Sequence, residues 1–242
     1  MERQKSNQEI TALLEEQLEP LIQQVMASFE MAGIAIGIVR GDEIVYARGF
    51  GVRNLETREP VTATSLFHMA SISKPFVATA IMQLAEQGKL DLNTPLVHYL
   101  PYFTMNDERY RAITVQQMLS HTSGMPDELT FYWDQPKYDE GALERYVRGL
   151  ANASLLFAPG ESFSYSNIAY EVLGDLIAKL SGQTFEAYMR EHLLRPSGMF
   201  TSTFFKHEVP AELGTTPYVS VPHIMPSPVY PYDRTHGPSS TL

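Results

Sequence analysis

Two short β-branched stretches constrain this fold most: GIAIGIVR (33–40) and EIVYARGFG (43–51), separated only by Gly41-Asp42. Gly-Asp between two apolar runs predicts a tight hairpin. The unbroken apolar run of the first strand predicts burial on both faces. A two-stranded hairpin is marginal by itself, so it needs partners, and the rest of the chain reads differently. Residues 8–30 carry Ile10, Leu13, Leu14, Leu18, Leu21, Ile22, Val25, Met26 and Phe29 at steps of three and four. That is a helical period, which Pro20 is expected to kink or split. A helix is predicted from Ser71 to a stop at Gly88, and a short one over 114–125 ending at Gly124. Further helices are predicted over 139–150, 166–182 and 184–194. Residues 215–242 hold six prolines and read as an extended loop. The reading is α+β: one helix and two strands, then mostly helices, with no partner strands for the hairpin.

The bulk properties narrow the function classes. A chain of 242 residues suits one large domain or two interleaved small ones, and 44% hydrophobic with 19% charged residues is globular. A net charge of -10 disfavours nucleic-acid backbones and anionic membranes. No cysteine means no disulfide and no thiolate nucleophile. The seven histidines are scattered and form no HxxxH or HExxH pair, so no metal site is expected. The polar N-terminus lacks a signal-peptide core and no apolar run reaches about 18 residues, so a cytoplasmic location without membrane contact is expected.

Two elements carry chemistry. Ser71 and Lys74 stand three apart at a helix start, where they share a face. The lysine amine can reach the hydroxyl, and the exposed N–H groups favour negative charge. A serine needs such help to become a nucleophile. Taken alone, a capping serine and a solvated lysine explain the pair better. Tyr165-Ser166-Asn167 runs from a loop into a helix. Tyrosine can exchange a proton and asparagine can anchor an amide, although apolar packing and capping would explain them alone. His121, in LSHTSG, reads as part of a helix end with Gly124 as the left-handed stop. Trp133 either lines a pocket or covers the core. Glu16, Glu19, Glu144 and Glu186 read as solvated charge on helix faces.

Together, GIAIGIV, YARGFG, SISKPFVA, GKLDLNTPLVHYLP, ITVQQMLSHTSGMPD and FAPGESFSYSNIAYEVLGDLIAKLSG occur in one order. This order resembles the serine β-lactamase and penicillin-binding-protein superfamily from about residue 20 to 200, nearest to class C β-lactamases, D-alanyl carboxypeptidases and related esterases. The resemblance implies a β-lactamase-like fold: an antiparallel sheet flanked by helices plus a mostly helical domain. It divides the chain into 1–68 (N-terminal helix and first strands), 69–214 (helical, with the motifs) and 215–242 (Pro-rich extended segment). It implies Ser71 as acylated nucleophile, Lys74 assisting its deprotonation, Tyr165 as general base and acid, and Asn167 holding the substrate. One oxyanion donor would be the Ser71 N–H. No metal or organic cofactor is implied. The substrate would be a small ester or an amide of β-lactam or D-Ala-D-Ala type, and a homo-oligomer is compatible. The family's third element, Lys- or His-x-Gly on a late strand, has no copy here; His236-Gly237 are adjacent and lack a strand pattern. The chain is therefore expected to lack its C-terminal strands. The rival reading is a catalytically incomplete fragment or a non-catalytic binding or assembly module of the same fold.

Overall fold

The computed structural model describes residues 6–127, 135–220, 224–226 and 232–242. The chain divides into two compact units, Met1–Phe67 with Val209–Pro228, and His68–Glu208 with Val229–Leu242.

In the first unit, α1 (Asn7–Ser28) starts at a capping box in which Ser6 accepts from the Glu9 N–H and Glu9 reaches back to the Ser6 backbone. The helix runs unbroken through Pro20. Pro20 and Glu16 are both exposed, so the carbonyl deprived of its donor can turn to water and the expected split does not occur. β1 (Gly33–Arg40) and β2 (Glu43–Gly51) pair antiparallel, with Gly33 opposite Gly51 and a register shift after Ile38. Gly41 makes the turn at φ 66°, a conformation that glycine adopts without steric cost. Ile34, Ile36 and Ile38 pack against a small core of Ile22, Met26, Tyr46 and Phe50. Ala35, Gly37 and Val39 are exposed, which corrects the expectation that β1 is buried on both faces. One helix covers one face of the two-stranded sheet, and Val61 and Thr62 pass close over Gly33 and Gly49 on the other.

The later part of this unit is held by backbone bonds. Leu66 N–H donates to the Leu213 carbonyl (2.8 Å) and Thr216 N–H to the Arg53 carbonyl (2.9 Å). Two short strands, β3 (Tyr218–Ser220) and β4 (Ile224–Pro226), form a second antiparallel pair.

The second unit is built on helices. These are α2 (Ser73–Glu86), α3 (Val115–Leu119), α4 (Ala142–Gly149), α5 (Asn167–Ser181), α6 (Phe185–Met189) and α7 (Gly237–Ser240). α5 is central: every residue from Asn167 to Ile177 is buried. Ser166 caps it by accepting from the Ala169 N–H, and Gly182 closes it at φ 71°. α2 contributes Val77, Ile81 and Leu84 to the same core. Each such aliphatic side chain stabilises the fold by about 1.5–3 kcal/mol. Residues 215–242 are not one extended segment. Arg234–His236 forms a 3-10 turn that leads into α7, and α7 packs on α5 because Gly174 has no side chain. A Cβ there would stand 2.0 Å from Pro238 Cγ.

Candidate active site

The site lies within the second unit and is assembled from the start of α2, the start of α5 and the α7 segment. Ser71 precedes α2 by two residues. Ser73 N–H donates to the Ala70 carbonyl (3.0 Å) and Lys74 N–H to the Ser71 carbonyl (3.1 Å), which winds the first turn. Ala70 adopts φ 47°, a left-handed conformation costing a non-glycine residue on the order of 1–3 kcal/mol. The 242-residue chain's last residues pin it there. Met69 N–H donates to the Leu242 carbonyl (2.8 Å), Leu242 N–H to Ser73 Oγ (2.9 Å), and Ser73 Oγ to the Ala70 carbonyl (2.7 Å).

The structure brings four of the five sequence-predicted residues together. Ser71 Oγ and Tyr165 Oη are 2.8 Å apart. Lys74 Nζ donates to Ser71 Oγ (3.0 Å), to Asn167 Oδ1 (2.7 Å) and to the Ser239 carbonyl (2.9 Å). An ammonium has three N–H groups, and each meets an acceptor. Lys74 is only 5% exposed, whereas Tyr165 is 39% exposed, so the cation is sheltered and the phenol faces outward. Lys74 Nζ also lies 4.9 Å from the Tyr165 ring centroid. The fifth residue, Trp133, lies outside the described residues.

Asp127 and Glu171, which sequence reasoning passed over, and His121 orient these groups. Asp127 Oδ1 accepts from both the Asn167 N–H (2.8 Å) and its side-chain amide (3.0 Å), which fixes which end of the amide faces Lys74. His121 is left-handed at φ 57°, so the reversal after α3 occurs at His121 as well as at Gly124. Its Nδ1 accepts from the Ser166 N–H (3.2 Å), and its ring lies 4.5 Å from that of Tyr165. Burial, then the Lys74 charge, lower the His121 pKa, with Asp127 opposing; the ring is held neutral, as an accepting Nδ1 requires. Behind Lys74, Glu171 is fully buried and burial raises its carboxyl, against hydrogen bonds and charge from His236, the Ser239 bond and Lys74.

The four glutamates do not share one role. Glu16 is exposed, Glu144 pairs with Arg148 at the surface (2.6 Å), and Glu19 accepts from Tyr46 Oη (3.0 Å). Glu186 is instead 5% exposed and bonds Arg234 through Nε (2.7 Å) and Nη2 (2.9 Å). This corrects its reading as solvated charge: a bidentate arginine compensates the burial. Among the described residues no group of three or more His, Asp or Glu side chains could hold a metal ion. No helix among them is long and apolar enough to cross a membrane.

The fold matches a known class. The chain belongs to the family described as Beta-lactamase, which matches residues 18–239. The resemblance read from the ordered motifs is therefore borne out, as is the β-lactamase-like α+β fold. Protein flp of Staphylococcus aureus (strain MW2) is 31% identical over 217 residues, covering 86% of this chain and 43% of that protein. Esterase EstB of Burkholderia gladioli is 30% identical over 214 residues, covering 81% and 53%. The octameric penicillin-binding protein homologue from Pyrococcus abyssi superposes with a TM-score of 0.77 at 32% identity, covering 93% of this chain and 52% of that one. A class C β-lactamase shares the fold with a TM-score of 0.81. The chain spans about half the length of the relatives it matches.

Proposed function

We propose that this protein is a serine hydrolase that forms an acyl-enzyme on Ser71 and hydrolyses small carboxylic esters; β-lactam and D-Ala-D-Ala amide bonds present the same acyl chemistry. The observation that carries the reading is the hydrogen-bonded set Tyr165–Ser71–Lys74, with distances of 2.8 and 3.0 Å. Lys74 donates all three of its N–H groups, one of them to Ser71 Oγ. The group left to take the serine proton is Tyr165 Oη, in a reactive form that pairs the Tyr165 phenolate with the Lys74 ammonium.

Each step then balances. Tyr165 Oη takes the Ser71 proton while Oγ attacks the acyl carbon. The oxyanion forms near the Ser71 N–H, which no described hydrogen bond uses. Tyr165 returns its proton to the departing alkoxide, leaving the acyl-serine ester. Water then gives a proton to Tyr165 and attacks, and the acid leaves as Ser71 recovers its proton. Asn167, tied to Lys74 and Asp127, retains one amide N–H for the substrate.

Similarity to esterase EstB supports the ester assignment. A nitrophenyl ester assayed beside a chromogenic cephalosporin tests it, with Ser71→Ala as control. Ester turnover that vanishes in Ser71→Ala is expected. Cephalosporin turnover without ester turnover would move the substrate class. Absence of both favours a non-catalytic binding or assembly module of the same fold.

A further inference from the structure

Resting on that reading of the site, we propose that Glu171 is a positioning residue which, clamped between His236 and Ser239, fixes the Ser239 carbonyl as the third acceptor of Lys74. Glu171 and Asn167 are four residues apart on α5 and so share a face. Asn167 reaches Lys74 directly and Glu171 reaches it through Ser239. Glu171 Oε1 accepts from Ser239 Oγ at 2.6 Å and lies 3.0 Å from His236 Nδ1. Glu171 is 0% exposed, Ser239 0% and His236 4%. A carboxyl this deeply buried is costly unless its partners are fixed, and its other oxygen, Oε2, has no partner among the described residues.

The α7 segment is seated from several sides. Pro238 fills the space above Gly174, and Leu242 is bonded to Met69 and Ser73. Ser239 lies between these anchors. Its hydroxyl meets Glu171 and its carbonyl meets Lys74, so one residue joins the buried acid to the site's cation. Loss of the clamp frees the carbonyl. Lys74 Nζ then has two acceptors, and its hold on Ser71 Oγ loosens.

The test compares the intact chain with Glu171→Ala, Glu171→Gln and Ser239→Ala, using two readouts. The first is the second-order rate of Ser71 labelling by a fluorophosphonate. Misplacing a reacting group by about 1 Å can cost about 10²-fold. Glu171→Ala is expected to slow labelling by ~10–100-fold. Glu171→Gln, which still offers Ser239 an acceptor, should recover at least ~10-fold of any larger loss. The second is acetylation of Lys74 by acetic anhydride, followed by peptide mass spectrometry. The clamped amine should be protected, and Glu171→Ala should expose it at least threefold.

The second readout does not depend on a reactive Ser71. A native chain that is not labelled, with Lys74 exposed by Glu171→Ala, refutes the hydrolase reading and keeps the positioning role. Unchanged Lys74 protection in both Glu171→Ala and Ser239→Ala overturns the positioning role whatever Ser71 does. Leu176→Ala loosens α5 without touching the clamp; an equal exposure of Lys74 in that variant also overturns it. If Glu171→Ala fails to fold, Ser239→Ala, which removes only a hydroxyl, decides between the same two outcomes.

Discussion

The two units handle charge in opposite ways. Every buried polar or charged side chain among the described residues belongs to the second unit. Lys74, Asn167, Glu171, Asp175, Glu186 and His236 all sit there, beside a large apolar core. In the first unit Arg48 pairs with Glu15 and Glu19 at the surface, and the half-buried Arg53 pairs with Glu59 (2.8 Å). Its buried hydrophobic residues are six, four of them in one cluster, and Ile44 and Val39 stand exposed. Burying a charge costs stability unless it is paired, and this unit buries Lys74, Glu171, Asp175, Glu186, Asp233 and His236. The first unit supplies scaffold; the second accepts electrostatic cost where the candidate chemistry lies.

That contrast breaks or sharpens at defined places. The largest effect is expected at the site. Tyr165→Phe should lower ester turnover by about 10²–10⁴-fold, the usual worth of a positioned proton transfer, with little change in melting temperature. Near-normal turnover would remove the proton-transfer role from this residue.

Next come the cores. Ile81→Ala, in the second unit at 0% exposure, should cost about 2–5 kcal/mol. Ile44→Ala, in the first unit at 71% exposure, should stay within about 0.5 kcal/mol. Denaturant melts of the two variants measure the difference, and equal losses would erase the distinction between the units.

The electrostatic cost can be read directly. Burial pushes the Asp175 carboxyl up to about 6, its ordinary value being 3.8. Between those values the folded state holds more protons than the unfolded one, so stability falls as pH rises from about 4 to 6. Asp175→Asn keeps an acceptor for Tyr102 Oη, now 2.9 Å from Asp175. It should stabilise the chain by about 1–3 kcal/mol at pH 8, with the gap closing by pH 4. A constant gap across that range would show that ionisation is not the cause. The smallest effect belongs to the first unit's surface: Arg48→Ala should cost less than about 1 kcal/mol, and thermal melts at two salt concentrations would show it.

Local patterns made much of this legible. The hairpin needed only Gly41-Asp42 between β-branched runs, and α1, α2 and α5 announced themselves by helical spacing. Ser71 and Lys74 were legible as neighbours because one helical turn joins them. Tyr165 and Asn167 joined them only through ordered motifs, since 91 residues separate Lys74 from Tyr165 and no local rule spans that gap. What local pattern could not reveal is long-range seating. Asp127 matters because α5 begins against it. The α7 segment reads as loop by its prolines, yet Pro238 settles on Gly174 and Ser239 on Glu171. Glu186 looks like any helix-surface acid until Arg234, 48 residues later, closes over it. Pro20 misled in the other direction, because an exposed helix face tolerates the missing bond.

The central proposal is that Ser71 is a nucleophile activated by Tyr165 beside Lys74. Intact mass after incubation with a fluorophosphonate, with the adduct mapped by peptide digestion, tests it most directly. The expected result is one adduct per chain, on Ser71, absent in Ser71→Ala and strongly slowed in Tyr165→Phe. An unmodified chain, or an adduct on any other residue, would contradict it.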